Sequence, residues 1–271
     1  MIAATRQDCD LCKQNDLVDY IVSQKPDVII NCAAISGIES CLDDPVACHY
    51  VNVMAPQTMA QVSQKEGIKL IHLSTDYVLD GRRPGLKTEQ DKIRPINTYG
   101  ESKAEAEWRV MDECPSSVIA RVSWVFGSLE KPGFAEAIWN KLLKGESISA
   151  VGDKDSIPTW LPDLVEWLTE MIELPSCSGI YQLCNSGEPL TWSQYAQLVI
   201  DAAYNHGAID KKPVIEVQKL DEMSHFRDAR PRYTAMSCQK LANLLDKPIR
   251  SYEEAIDLAI QSYVARLKDA R

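Results

Sequence analysis

The sequence predicts an α/β fold in which a doubly wound parallel sheet is joined to a smaller C-terminal lobe. Three observations support this prediction. Strand-like and helix-like segments alternate through the first half of the chain, and the strand-like segments are nearly continuous apolar runs, as in parallel sheets that helices cover on both faces. The chain has 271 residues, 45% of them hydrophobic, which is enough to bury a full core.

The first half of the chain contains the segments predicted to form the sheet and its helices. Residues 15–24 place apolar side chains at helical spacing, residues 69–73 are a short apolar run, and Gly67 is a typical stop after a helix. The expected order is a strand at 2–5, a helix at 15–24, a strand at 28–34, a helix at 45–66, a strand at 69–73, a helix at 98–112 and a strand at 117–125. This alternation predicts parallel strands with crossover helices.

The pattern changes after Gly127, where polar loops separate shorter segments. Thr191 is a preferred N-cap residue and precedes a helical pattern that runs to His206. Further helices are expected at 134–143, 163–172, 238–245 and 252–267, and further strands near Ile148 and at 180–183 and 214–217. We therefore divide the chain into a sheet domain at 1–127 and a lobe at 128–271, with some segments of the lobe returning to the sheet.

The composition argues against several classes of protein. The 29 basic and 39 acidic residues give a net charge of −10, which argues against a nucleic-acid-binding protein. No apolar run approaches the ~20 residues that cross a bilayer, and no signal-peptide pattern is present, so a membrane protein is not expected. The nine cysteines are odd in number and scattered, which indicates reduced thiols and a cytoplasmic protein. Cys9 and Cys12 form a Cys-x-x-Cys pair, but no second pair with ligand spacing accompanies it and the four histidines form no metal-ligand motif, so no metal is expected.

A tyrosine, a lysine and a threonine form a candidate proton-transfer site. Tyr99 and Lys103 are four residues apart in a predicted helix and therefore share one face. A cation within ~4–6 Å favours a phenolate, so we expect Lys103 to lower the pKa of the Tyr99 phenol from about 10. Thr75 ends a predicted strand, where open parallel sheets place active sites, and its hydroxyl would fix a substrate oxygen. The alternative is that Tyr99 and Lys103 form an ordinary solvated pair.

Four motifs resemble those of a known family. They are Ser-Thr-Asp-Tyr-Val at 74–78, Tyr-x-x-x-Lys at 99–103, Arg-Val-Ser-Trp-Val-Phe-Gly at 121–127 and Arg-Pro-Arg at 230–232. Together they resemble the dTDP-4-dehydrorhamnose reductase family, within the extended short-chain dehydrogenase/reductase superfamily. The resemblance implies a Rossmann-type fold and reduction of the C4 keto group of a nucleotide-linked deoxysugar in dTDP-rhamnose biosynthesis, with NADPH or NADH as cofactor.

The resemblance also implies roles for individual residues. Tyr99 would donate a proton to the C4 carbonyl, Lys103 would hold the nicotinamide ribose and Thr75 would align the carbonyl. The cofactor-binding positions would be Arg6, Asp10, Leu11, Ala33, Ala34 and Ser36, together with Tyr99 and Lys103. From its place at the end of the first predicted strand, Arg6 would either meet a 2′-phosphate and favour NADPH or be an ordinary surface arginine. The positions around the sugar nucleotide would be Asp76, Tyr77, Trp124 and Arg230.

The N-terminus departs from the family pattern. Family members begin with a strand and a Gly-x-x-Gly-x-x-Gly turn that cradles the pyrophosphate, whereas here Gly37 stands alone. Either the sequence is a shortened version of a longer protein, or it has lost tight dinucleotide binding. We favour the first, because removing a mid-sheet strand leaves buried backbone groups unpaired at ~1–3 kcal/mol each, against a total stability of ~5–15 kcal/mol. The domain at 1–127 is then an N-terminally incomplete cofactor domain.

A second hypothesis is a non-catalytic regulatory or binding subunit. The Arg-Pro-Arg segment and the fold resemble the regulatory beta subunit of methionine adenosyltransferase, and the missing glycine-rich turn favours this hypothesis. The set of Thr75, Tyr99 and Lys103 favours catalysis instead. An epimerase or dehydratase of the same superfamily ranks lower, because dehydratases use an Asp-Glu pair where this chain has Ser74 and Thr75. The sequence leaves a homodimer open.

Overall fold

Helices and short strands alternate through residues 1–269, which are the residues that the computed structural model describes. The helices are α1 (Gln14–Gln24), α2 (Ile38–Asp43), α3 (Pro45–His49), α4 (Ala55–Glu66), α5 (Thr98–Glu113), α6 (Phe134–Lys144), α7 (Leu161–Glu173), α8 (Trp192–Asn205), α9 (Gln239–Leu245) and α10 (Tyr252–Asp269). The strands are β1 (Val28–Asn31), β2 (Lys69–Thr75), β3 (Val118–Val122), β4 (Val125–Phe126), β5 (Ile148–Val151), β6 (Asp155–Ser156), β7 (Thr159–Trp160), β8 (Gly179–Gln182), β9 (Leu190–Thr191) and β10 (Ile215–Gln218).

The main sheet has four strands in the order β1-β2-β3-β8, and every neighbouring pair is parallel. Asn31 pairs with His72, and Thr75 pairs with Val122, so the carboxyl ends of the first three strands meet at one edge. Strand β8 comes from the second half of the chain. The predicted parallel α/β fold is therefore confirmed, and ligand sites in such sheets lie at this edge.

Helices cover both faces of the sheet because side chains alternate along each strand. Leu70 and Ile119 point to one face and pack in a cluster with residues of α1, α4 and α5. Ile71 and Val118 point to the other face and pack with α7 and α9. A third cluster, built from α6, α8 and α10, forms the core of the second half of the chain.

The strand predicted at 2–5 is wrong. These residues are exposed and form no β-ladder, and the chain turns immediately after them. The turn is held by Asp8, whose carboxylate accepts hydrogen bonds from the backbone N–H of Thr5 at 2.8 Å and from its hydroxyl at 2.6 Å. An isolated extended segment gains no ladder hydrogen bonds, so a local side-chain turn replaces the strand.

The long helix predicted at 45–66 is interrupted by a π-helical turn at Tyr50–Met54. This turn carries Asn52, which is fully buried and bonds the backbone of Ile35 through both its amide oxygen (2.8 Å) and its amide nitrogen (2.9 Å). The same amide donates to the Ser102 hydroxyl at 3.0 Å. The π turn thus connects the loop after β1 to helix α5, and such turns are frequent at functional sites.

The other predicted elements agree with the structure to within a few residues. Gly67 and Gly145 have positive φ after α4 and α6, and the Thr191 hydroxyl accepts from the Gln194 N–H as the N-cap of α8. The short helix α2 was missed because its six residues are too few to show a periodic pattern. Within residues 1–269, no helix is both long and apolar enough to cross a membrane.

Candidate active site

Thr75 is the last residue of β2, and the chain turns sharply after it into a 3-10 turn at Asp76–Val78. Its hydroxyl accepts from the Tyr77 N–H at 3.3 Å and donates to the Asp76 carboxylate at 3.1 Å. The side chain is buried and held in one orientation by these two bonds. The strand end therefore presents a fixed hydroxyl, as the sequence predicts.

Tyr99 lies in the first turn of α5, beside this strand end. Asn97 caps the helix by accepting from the Gly100 N–H at 2.7 Å, and its amide donates to the Ala229 carbonyl at 2.7 Å. Gly100 is required here, because a Cβ at this position would lie 2.5 Å from the Tyr77 carbonyl oxygen. The rings of Tyr99 and Tyr77 meet edge to face at 6.0 Å. The turn after β2 and the start of α5 are thus packed directly against each other.

The electrostatics of Tyr99 differ from the prediction. Burial raises the pKa of its phenol, and the neighbouring Thr75 hydroxyl opposes this with a smaller effect. The Asp76 carboxylate raises the phenol pKa further. The phenol is therefore protonated at neutral pH, which suits a group that gives up a proton during reaction and not one that is already ionised.

Lys103 does not act on the phenol as predicted. Within residues 1–269, its amine bonds the His72 ring at 3.0 Å and the Leu73 carbonyl at 2.7 Å, and the Tyr99 hydroxyl is not among its partners. The shared helix face is correct, but the buried amine bonds the nearest polar groups, and these lie on β2. Burial lowers the pKa of Lys103 to about 8.

Asp76 is buried, and both of its carboxylate oxygens have partners. One oxygen accepts from Thr75, and the other accepts from the hydroxyls of Thr234 at 2.5 Å and Ser156 at 3.1 Å. Burial raises the pKa of this carboxyl, while Lys154 and the three hydroxyls oppose the rise. Asp76 therefore ties the end of β2 to the second half of the chain.

Lys154 is a fully buried lysine between two of the predicted substrate-binding aromatic residues. Its amine lies 5.0 Å from the centroid of the Tyr77 ring and 5.9 Å from that of Trp124, and it donates to the Pro231 carbonyl at 2.6 Å. Trp124 stacks on Tyr195 at 6.0 Å with a 3° interplanar angle. Trp124 also has a φ of 43°, a left-handed conformation that costs a bulky residue energy and clusters at functional sites.

Arg230 lies at the side of a cavity of about 440 Å³ that is also lined by Gly81, Arg82 and Arg232. Its guanidinium bonds both oxygens of Glu39, at 2.6 and 2.8 Å, and covers the Phe226 ring at 4.4 Å. Glu39 belongs to α2. The ion pair of Arg230 with Glu39 thus joins the Arg-Pro-Arg segment at 230–232 to the first half of the chain.

The predicted cofactor positions fall into two groups. Ala33, Ala34 and Ser36 are exposed beyond the carboxyl end of β1. They follow closely after Asn31, whose side chain bonds the His72 ring beside Lys103. Arg6, Asp10 and Leu11 lie in the segment before α1, and within residues 1–269 no hydrogen bond or ion pair joins them to the residues around Tyr99. This segment contains no glycine cradle for a pyrophosphate.

Lys154 leads to a prediction about pH. Burial lowers its pKa from 10.5 to about 8, so between these values the unfolded chain binds more protons than the folded chain and stability rises with pH. We expect the free energy of unfolding of the wild type, relative to Lys154→Met, to increase by about 2 kcal/mol from pH 8 to pH 10. Urea unfolding at both pH values measures this. The control is the exposed Lys144, replaced by methionine in the same way. The assignment would be contradicted if the free energy of unfolding of the wild type, relative to Lys154→Met, stayed constant or decreased from pH 8 to pH 10.

Several residues of the site were not predicted as functional. Three of them are buried polar residues within apolar or irregular segments, namely Asn31, Asn52 and Lys154. Because polar residues are seldom buried, a polar residue that is predicted to be buried is the only signal for such a position. His72 is likewise fully buried, with the Asn31 amide and the Lys103 amine as partners of its two ring nitrogens. A buried polar residue in an apolar strand is the signal that identifies such positions, but its partner cannot be identified from the sequence.

Comparison with known proteins gives consistent matches along the chain. The family model described as RmlD substrate binding domain matches residues 1–265. A dTDP-4-dehydrorhamnose reductase of Mycolicibacterium smegmatis is 29% identical over 272 residues, covering 99% of this chain and 80% of that protein. One from Sinorhizobium fredii is 28% identical over 271 residues, covering 98% and 90%.

Solved structures agree with these matches. The crystal structure of dTDP-4-dehydrorhamnose reductase from Bacillus anthracis in complex with NADP superposes with a TM-score of 0.85 at 26% identity, covering 94% of this chain and 87% of that one. A UDP-glucose 4-epimerase of Thermus thermophilus in complex with NAD shares the fold, with a TM-score of 0.73 at 22% identity and coverage of 93% and 82%. Because the family model spans nearly the whole chain, this protein belongs to the RmlD substrate binding domain family.

Proposed function

We propose that this protein is an NAD(P)H-dependent reductase that reduces the C4 keto group of dTDP-4-dehydrorhamnose. The observation that carries the proposal is a fixed strand-end hydroxyl, Thr75, beside the protonated phenol of Tyr99, in a family whose members include dTDP-4-dehydrorhamnose reductases. The geometry supports proton delivery to an oxygen that accepts a hydrogen bond from Thr75.

The residues of this chain then divide the work as follows. Thr75 orients the carbonyl oxygen, and Tyr99 gives its proton to that oxygen as negative charge develops there. Burial keeps the proton on Tyr99 until this moment, because the raised pKa disfavours loss of the proton to solvent. Without substrate, Thr75 donates its single hydroxyl proton to the Asp76 carboxylate, so it would turn this proton to the carbonyl oxygen when the sugar binds.

The cofactor would bind beyond the carboxyl end of β1, beside the exposed Ala33, Ala34 and Ser36. A bound nicotinamide cofactor supplies the hydride that reduces the sugar carbon. Lys103 and Tyr99 would hold its ribose, with Ala33, Ala34 and Ser36 against the ring and Arg6, Asp10 and Leu11 toward the adenine end. Residues 1–127 would thus serve as the cofactor domain and residues 128–271 mainly as the substrate lobe. The positive charge of Arg6 would attract the 2′-phosphate that NADPH carries and NADH lacks, so it would favour NADPH.

The sugar nucleotide would lie between the two halves of the chain. Tyr77 and Trp124 offer aromatic faces on either side of the Lys154 ammonium. Arg230 faces the same region and would exchange its partner Glu39 for a phosphate. The Asp76 carboxylate already accepts hydrogen bonds from three hydroxyl groups, so we propose that it supports the substrate site indirectly, by holding these groups in place.

A rate assay tests the proposed function. The full chain is mixed with NADPH or NADH and with dTDP-4-dehydrorhamnose, and cofactor oxidation is followed by absorbance. We expect oxidation that depends on the sugar, and none with dTDP-glucose, which lacks a keto group. A rate that does not depend on the sugar would contradict the proposal. No turnover together with co-purification of a methionine adenosyltransferase would instead support the regulatory-subunit hypothesis.

A further inference from the structure

His72 is a fully buried histidine whose two ring nitrogens both have partners. It lies on β2, next to Asn31 of β1 and Lys103 of α5. Its Nδ1 is 3.0 Å from the Asn31 amide nitrogen, and its Nε2 is 3.0 Å from the Lys103 Nζ. The ring therefore connects the strand that leads to Ala33 with the helix that carries Tyr99.

The orientation of the Asn31 amide is fixed by the backbone. Its Oδ1 is 3.0 Å from the Ala33 N–H, and a backbone N–H can only donate. Oδ1 is therefore the acceptor, and the NH₂ group of Asn31 must face His72 as a donor. This assignment requires Nδ1 of His72 to accept, so it carries no proton.

The ring must then carry its proton on Nε2. Burial lowers the pKa of His72 well below its usual value, so the ring is neutral with a single N–H. That N–H points at the Lys103 Nζ. An ammonium group has three donors and no lone pair, so it would place two donors against each other at 3.0 Å, whereas a neutral amine can accept from Nε2 and still donate to the Leu73 carbonyl.

From this pattern of donors and acceptors, and resting on the function proposed above, we propose that His72 is a positioning residue that holds Lys103 as an uncharged amine turned away from Tyr99. Uptake of a proton by Lys103 breaks the contact with Nε2 and frees the ammonium for the cofactor ribose. The relay runs from the Ala33 N–H through Asn31 and His72 to Lys103, so it joins a cofactor-facing segment to the lysine.

The surroundings of Lys103 favour the uncharged amine at pH values above about 8. The pKa of its amine is lowered by burial to about 8, and the groups that oppose this effect are Glu107 on α5, Cys48 on α3 and Cys32 after β1. Glu107 is itself neutralised by a buried pair with Arg121. The nearest carboxylate is therefore already compensated, which leaves His72 as the group that selects between the charged and uncharged amine.

The tautomer of His72 tests the proposal directly, without cofactor or substrate. We would record ¹⁵N spectra of the histidine side chains of the full chain at pH 9 and assign His72 from the resonances that disappear in His72→Gln. The expected result is a neutral ring protonated on Nε2. A ring protonated on Nδ1, or an imidazolium, would overturn the proposal even if the protein proves to be an active reductase.

A substitution that reverses the relay gives a second readout. In Asn31→Asp, the carboxylate accepts from Nδ1–H, so the ring proton moves to Nδ1 and Nε2 can accept from an ammonium. We expect the pKa of Lys103, followed by ¹³C signals of labelled lysines and assigned with Lys103→Arg, to rise by about one pH unit or more. The alkaline limb of the reductase pH profile should shift upward with it.

The matched control is Asn140→Asp, which adds the same charge at an exposed position of α6. It should leave the His72 tautomer, the Lys103 titration and the pH profile unchanged. If Asn31→Asp behaves like Asn140→Asp, the relay does not control Lys103. If Asn31→Asp does not fold, the tautomer of His72 in the wild-type protein still tests the proposal. The His72 tautomer and the Lys103 titration are measured without turnover. They therefore test the relay even if the rate assay of the proposed function fails.

Discussion

Replacing Tyr99 with phenylalanine is expected to lower turnover by roughly 10²- to 10⁴-fold, the contribution that a positioned general acid makes. The phenylalanine ring keeps the edge-to-face contact with Tyr77, so the fold and the start of α5 should be retained. Steady-state rates of NADPH oxidation with saturating dTDP-4-dehydrorhamnose measure the effect. The loss should appear in kcat and not only in KM, because the hydroxyl acts on the reacting oxygen.

Tyr204→Phe is the control for this change. Tyr204 lies near the end of α8 and is 45% exposed, so removal of its hydroxyl should leave the rate unaltered. If Tyr99→Phe also retained the wild-type rate while Thr75→Val lost it, the proton would have to come from another group. If both variants retained the rate, the site would lie elsewhere.

The second large effect is expected from Glu107→Ala, which should lower the free energy of unfolding by about 3–5 kcal/mol. Glu107 and Arg121 form a buried pair at 2.6 Å, with side chains 1% and 0% exposed, and Glu107 also accepts from the Ser74 hydroxyl at 2.5 Å. Removing the carboxylate leaves the Arg121 charge buried and uncompensated. This is a large fraction of a typical stability of ~5–15 kcal/mol. Denaturant unfolding measures it.

An exposed pair provides the comparison. Glu170 pairs with Lys247 on the surface, with side chains 35% and 33% exposed, so Glu170→Ala should cost no more than about 1 kcal/mol. Replacing Glu107 and Arg121 together by methionine should recover much of the loss, since no unpaired charge remains. A Glu107→Ala cost similar to that of Glu170→Ala would show that the buried pair contributes little to stability.

The sheet was predictable because its signal is local. The strands 69–73 and 180–183 are short apolar runs, and the helices around them have caps or glycine stops that act within a few residues. The failed strand at 2–5 shows the limit of such reasoning. Its residues are compatible with a strand, but a strand also needs a neighbour, and Asp8 offers a closer hydrogen-bond acceptor instead.

The sequence predicts which residues belong to the candidate site, but not the hydrogen bonds that they make. Spacing places Tyr99 and Lys103 on one helix face, but it does not reveal that His72 takes the lysine amine. Likewise the hydroxyl contacts of Asp76 with Ser156 and Thr234, and the Lys154 contact with Pro231, join residues between 77 and 158 positions apart in sequence. Such contacts depend on how the two halves of the chain close together, which no local pattern encodes.

The transfer of deuterium from [4,4-²H₂]NADPH to the sugar tests the central claim most directly. If Thr75 and Tyr99 reduce the C4 ketone, the product of dTDP-4-dehydrorhamnose should carry one deuterium at C4, detected by mass spectrometry and NMR, and Tyr99→Phe should form this product far more slowly. A product without deuterium at C4, or equal labelling rates for the wild type and Tyr99→Phe, would contradict the account.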